Sequence, residues 1–341
     1  MFRFVHPLRH FFALVIVLIT FVSVEARAND STATLAAEGL RLEKSESIRI
    51  VSEKLRVSPK RIVVDYEMDN TSREPITTIL AFPLPLLNAD DVMDLPLDAD
   101  IDHPEDFISF RTSVNGQSVS PEKQIKAFSV SRTGELGRDV TDTLLANQIL
   151  ASPLGRTFSD VLYDLPESAK ANLLEAGLLE VGEKRGEKTY APLWAVEYSF
   201  FSTVTFPPQR TVKIHHEYAP VVGRSLFGDF SLHDDLSRWC VDATTRKAIL
   251  QMLSNRPVTA GWTKVVEMKQ VDYILKTGAN WAGPIQSFQL TLEKENPRQI
   301  VSLCESGLKR TSQTELVLSR SNFTPQHDLS VLFFEPSING R

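Results

Sequence analysis

The chain has 341 residues, 37 basic against 43 acidic, a formal net charge of −6 and two cysteines. This mildly acidic balance excludes the basic footprint that nucleic acid or an anionic lipid surface demands. The length allows a large buried core and favours two domains over one.

Arg3 and Arg9 open the chain without an acidic residue, and Phe11 to Val24 follow as an unbroken run dominated by Phe, Leu, Val and Ile. Fourteen residues suit the hydrophobic region of a secretory signal and fall short of the ~18–20 that span a bilayer. Ala26-Arg27-Ala28 supplies a small-x-small cleavage pattern, so residues 1–28 are expected to be a signal peptide cut between Ala28 and Asn29. The alternative is an uncleaved anchor. No cysteine lies near the cut, which argues against a lipoprotein. Removing the leader takes away three basic residues and one acidic one, leaving 34 against 42 and a net charge of −8. After cleavage no membrane span is expected, and the destination is the periplasm.

Ile62, Val64, Tyr66 and Met68 alternate with Arg61, Asp65 and Glu67, the period of a half-buried strand. Asn70-Thr71-Ser72 is a turn signal, and Ile76 to Phe82 is apolar on both faces, so an antiparallel hairpin is expected, ending at Pro83. Residues 29–137 are assigned to an N-terminal β domain. Val140–Leu150 and Glu167–Ala176 fit short amphipathic helices within an insertion spanning 138–189, which ends in the charged turn Gly182–Lys188.

Residues 190–341 are assigned to a C-terminal β-rich domain. Trp194, Val196, Tyr198, Phe200, Val204 and Phe206 share one face of a strand that Ser202 alone interrupts. After Pro207-Pro208-Gln209-Arg210, Val212, Ile214, His216 and Tyr218 continue a matching apolar face on a returning strand, a pattern that suits a sheet packed on a second layer. A helix is expected over Ala243–Leu253. Further strands are expected at Val265–Leu275, with a bulge near Lys269-Gln270, and at Ile285–Leu292, Glu315–Leu318 and Leu329–Phe333. The fold class is therefore mainly β (α+β): two antiparallel β-sandwich-like regions with a short helical insertion.

In an oxidising compartment Cys240 and Cys304 are expected to form a disulfide, and two buried free thiols are the alternative. No catalytic constellation, phosphate-binding loop or cofactor motif is present, so no catalytic, cofactor or metal residue is assigned. Asp98, Asp100 and Asp102 have the spacing of a calcium loop, but His103 and Ser109 stand where that loop needs Gly and Glu; a solvated acidic loop is expected over Asp90–Asp106. His215 and His216 point to opposite faces of their strand, His215 to a surface ion pair and His216 to the core. His233-Asp234-Asp235 reads as a surface turn. Trp194, Trp239, Trp262 and Trp281 are expected in the core.

Asn29-Asp30-Ser31-Thr32-Ala33, Gly39-Leu40 and Phe82-Pro83-Leu84-Pro85 lie in the first part of the mature chain. Tyr273-x-Leu275-x-Thr277-Gly278-Ala279-Asn280-Trp281-x-Gly283-Pro284-Ile285-x-x-Phe288 and Asn322-Phe323-x-Pro325-x-x-Asp328-Leu329 come later. Together these resemble the exported bacterial family known as domain of unknown function 4424, over nearly the whole mature chain. The resemblance implies a Gram-negative envelope protein and brings no catalytic residues. Thr277–Trp281 reads as a tight turn between strands, with Gly278 free to take a positive φ and Trp281 packed over it. The polar start at Asn29, Asp30 and Ser31 implies either docking into the fold or a constraint from leader processing. Asn29, Asp30, Ser31, Asn280 and Trp281 are thus the candidate functional residues.

The expected function is a non-enzymatic binding or cell-envelope accessory module acting on an envelope protein or ligand, with no cofactor. The competing expectation is a periplasmic hydrolase using Asp30, Asp234 or Asp235.

Overall fold

A computed structural model describes residues 30–36, 39–89, 107–147, 149, 162–228, 240–255 and 264–335. The signal segment, Asn29, the acidic segment 90–106, His233-Asp234-Asp235, Trp239 and Trp262 lie outside the described residues.

In chain order the strands begin with β1 (Ser31–Ala36), β2 (Gly39–Glu43), β3 (Ile48–Val57), β4 (Ile62–Asn70), β5 (Ile76–Pro83) and β6 (Leu87–Asn88). After the acidic segment come β7 (Arg111–Val114), β8 (Gln117–Val119), β9 (Glu122–Val130) and β10 (Leu136–Asp139). The inserted part carries α1 (Thr141–Ala146), α2 (Glu167–Glu175), β11 (Leu179–Lys184) and β12 (Glu187–Pro192). It is followed by β13 (Trp194–Phe206), β14 (Thr211–Tyr218), β15 (Val222–Gly228) and α3 (Ala243–Ser254). The chain closes with β16 (Val265–Tyr273), β17 (Ile285–Glu293), β18 (Ile300–Ser302), β19 (Lys309–Arg310), β20 (Glu315–Phe323) and β21 (Leu329–Glu335).

Two large sheets dominate. One runs β10-β9-β13-β5-β1-β2 with β6 beside β13, and the other runs β19-β20-β17-β3-β4-β14-β7-β8. A smaller sheet runs β15-β16-β21-β18, and β11 and β12 form a separate hairpin. The pairing is antiparallel apart from β3 with β17. The protein is mainly β, as its alternating sequence implies. Strands from both sides of the inserted part share each large sheet: β13 lies between β5 and β9, and β14 between β4 and β7.

The expected hairpin does not form and the returning strand does not pair with the strand before it, and the reason is common to both. β4 belongs to one large sheet and β5 to the other; β13 and β14 divide in the same way. Asn70-Thr71-Ser72 and Pro207–Arg210 are corners at which the chain changes layer. Asn70 ties them together. Its side-chain amide donates to the carbonyls of Glu74 (2.8 Å) and Phe206 (2.9 Å), and its backbone carbonyl accepts from Gln209 at 2.9 Å. Apolar alternation reports that a face is buried but not which strand lies alongside, so it does not distinguish a hairpin from a layer change.

The inner faces of the large sheets meet in one core that contains Ile48, Tyr66, Phe82, Trp194, Tyr198 and Phe288. The small sheet is buried on both sides. Val271, Tyr273, Val331 and Phe333 enter that main core, while Phe227, Val266, Leu332 and Phe334 pack under Ile249 and Leu253 of α3. Asp242 caps α3 by accepting from the Thr245 amide at 2.6 Å. Just before it, Cys240 is joined to Cys304 in a disulfide with Cα atoms 5.0 Å apart.

The bulge expected at Lys269-Gln270 is absent, and β16 keeps continuous register with both neighbours. Lys269 interrupts the apolar pattern because its ammonium is held by Glu295 (2.7 Å) and Glu335 (3.2 Å). The bulge falls instead in β3, between Ile50 and Ser52.

Candidate functional site

The bulge in β3 decides what faces the core. Ile48 and Ile50 point inward before it; after it the inward set is Glu53, Leu55 and Val57. With a side-chain period of two, one extra residue moves the odd-numbered residues to the inner face. Glu53 is thereby carried into the interior, opposite Tyr66 on β4.

β1 brings a second carboxylate inward. It sits between β5 and β2 as a full member of its sheet, with Thr32 opposite Leu80 on one side and Glu43 on the other. Asp30, immediately before it, is fully buried, as is Ser31. The Asp30 carboxylate lies 2.9 Å from His216 Nε2, and the His216 side chain is 4 % exposed. The Asp30 carbonyl accepts from the Trp281 indole at 2.7 Å, and Asn280 donates to Ser31 Oγ at 3.2 Å. Of the two readings of the Asn29-Asp30-Ser31 start, docking into the fold describes what Asp30 and Ser31 do.

Thr277–Trp281 differs from the expected hairpin corner. Lys276–Asn280 form a 3₁₀ turn joining β16 of the small sheet to β17 of a large one. The residue with a positive φ is Gly283, at 80°, and not Gly278. Trp281 is buried, as expected, but its packing partner is the N-terminal segment.

Behind His216 stand two more polar rings. The Tyr66 and Tyr273 hydroxyls are 3.2 Å apart. Burial pushes both phenols well above the ordinary tyrosine range, with the neighbouring carboxylates of Glu53 and Asp30 acting in the same direction. In front of His216 lie aromatic rings from both layers. Phe110 stacks on Phe200 at 4.3 Å with planes 11° apart, and on His216 at 5.4 Å; Phe82 lies 4.9 Å from His216.

These rings wall a cleft where β5 and β13 part from β7 and β14. Among the described residues four side chains bring polar groups to it: Asp30, Thr112, Ser202 and His216. The space open to the centre of a water molecule is about 10 Å³, room for about one water. His216 Nδ1 is buried and has no hydrogen-bond partner among the described residues.

Asp30, Ser31, Asn280 and Trp281 thus converge, while Asn29 lies outside the described residues. His215 is on the opposite, outer face, paired with Asp65 at 2.8 Å. Among the described residues no group of three or more His, Cys, Asp or Glu side chains is arranged to hold a metal ion. No helix of the described residues is long and apolar enough to cross a membrane. Sequence reasoning missed Glu53, Phe110 and Thr112. The signal for Ser202 was present, as the one polar interruption in the apolar face of β13.

The fold and site define a mainly β protein of packed sheets that folds its N-terminal segment into the core, against a buried Asp–His pair. The family model described as "Domain of unknown function (DUF4424)" matches residues 28–332, and the chain belongs to that family. No curated protein matches it. Among solved structures it is similar to that of a candidate nutrient binding protein from Legionella pneumophila subsp. pneumophila. That similarity has 16 % identity and a TM-score of 0.39, and covers 86 % of this chain and 68 % of the other.

Proposed function

We propose that this protein is a non-enzymatic binding or cell-envelope accessory module of the periplasm, and that its recognition site is the aromatic cleft at Asp30 and His216. The observation that carries this reading is the cleft's make-up. Phe82, Phe110 and Phe200 wall it, four polar side chains converge on it, and one of them has a buried atom still open to a partner. Binding sites of this kind are mostly apolar, with a few placed polar groups that fix orientation. The enclosed space is one water wide, so it accepts the tip of a ligand or partner side chain and not a whole metabolite. The apolar leader and the Cys240–Cys304 disulfide support export to an oxidising compartment.

Photo-crosslinking in intact cells tests the reading. A photoreactive residue at Val114, which lines the cleft and is half-buried, is expected to give discrete adducts that a probe at Glu67 on the outer face does not. Equal labelling from both positions, or none from Val114, refutes it.

A hydrolase using Asp30 is favoured by one feature, the Asp30–His216 contact beside a water-sized space. Asp234 and Asp235, its other proposed acids, lie outside the described residues. It requires ester or amide hydrolysis by the purified protein that His216→Gln abolishes; equal rates for the two proteins dispose of it.

A further inference from the structure

The chemistry of the cleft selects among possible tips, and this inference rests on the cleft being a binding site. A carboxylate only accepts hydrogen bonds, so in the neutral tautomer of His216 that fits this contact Nε2 carries the proton, 2.9 Å from Asp30 Oδ2. Nδ1 then presents a lone pair. It is the buried ring atom that has no hydrogen-bond partner among the described residues. Two further side chains lining the space, Thr112 and Ser202, bring hydroxyl oxygens that accept as readily as they donate.

Two carboxylates stand at this end of the cleft. Asp30 is fully buried at the cleft and Glu53 is fully buried behind it, opposite Tyr66, whose ring lies 6.1 Å from that of His216. Among the described residues no lysine or arginine lines the space. The walls include the rings of Phe82, Phe110 and Phe200, with Phe110 stacked on both Phe200 and His216. The space itself is the size of one water, close to that of an ammonium head.

We propose that the cleft binds a primary ammonium group at the end of an apolar stem. Its three N–H donors face His216 Nδ1, Thr112 Oγ1 and Ser202 Oγ, and its stem leaves along the apolar lining of Leu80, Val114 and Val204.

Propylammonium chloride is the probe, added to the oxidised protein at constant ionic strength while the ¹⁵N resonances of His216 are followed. The Nδ1 resonance is expected to shift saturably. Thr112→Val, which keeps the shape and removes one acceptor, is expected to weaken binding about tenfold, the loss of one hydrogen bond to a charged group. Phe110→Leu is expected to weaken it severalfold while the Asp30–His216 contact persists. A shift of equal size with 1-propanol or propionate overturns the ammonium assignment and leaves the cleft as a site for another tip. If none of the three probes moves His216, the ammonium assignment and the cleft reading fall together.

Discussion

The Asp30 carboxylate is held in the interior by the His216 Nε2–H, 2.9 Å away, with the Trp281 indole fixing the adjoining carbonyl. Removing the carboxylate leaves that buried N–H without its acceptor. Asp30→Ala is therefore expected to lower stability by about 1–3 kcal/mol, seen as an early urea midpoint with an unchanged slope. A loss under 1 kcal/mol means that the contact contributes little. Three of the buried phenols set the alkaline limit. Tyr66, Tyr218 and Tyr273 are all held neutral, chiefly by burial. Once the pH passes the usual tyrosine value of about 10, the unfolded chain releases protons that the folded one keeps. The folded state then binds more protons than the unfolded, and stability falls as pH rises, by up to about 1.4 kcal/mol per pH unit for each phenol. Urea midpoints measured from pH 9 to 11.5 should decline with that slope, and a flat profile contradicts burial of these rings.

At the scale of elements, connections place the site more than strands do. The two layer changes at Asn70 and Gln209 put β5 and β13 opposite β4 and β14, and the cleft opens where these layers part. Asn70→Ala removes both amide donors and leaves the Glu74 and Phe206 carbonyls without them. A loss of about 2–3 kcal/mol is expected, with amide exchange accelerated first at residues 70–76 and 206–211. Exchange that rises uniformly over the molecule instead would show that Asn70 does not act as a local tie. Trp281→Phe tests the dock of β1 on the 3₁₀ turn. It keeps the ring and loses the bond to the Asp30 carbonyl, so about 1 kcal/mol is expected to go, with faster exchange confined to β1 and residues 276–281. The strands themselves were readable from alternation, as in β13 and β14. Glu53 was not, because the bulge that turns it inward leaves no mark in the residue types of β3.

For the whole molecule, the disulfide closes a sequence separation of 64 residues and ties the start of α3 to the segment after β18. Chain-entropy reasoning gives about 4 kcal/mol for a loop of that length. Paired Cys240→Ser and Cys304→Ser substitution should lower the urea midpoint accordingly, with α3 losing protection before the large sheets, since its side of the small sheet has the smaller core. Equal protection of α3 in both forms would show that the helix holds without its tether.

The sequence by itself determined the mainly β class, the three helices near 141–146, 167–175 and 243–254, the pairing of the two cysteines and the inward face of His216. Each of these is written in local periodicity or in simple counting. Only the tertiary structure decided that Asp30 meets His216 across 186 residues of chain, that Glu53 faces inward, and that Trp281 holds the N-terminal segment. These depend on the order of strands in a sheet and on the corners where the chain changes layer. Hydrophobic alternation is the same whichever neighbour a strand takes, so it carries no information about either.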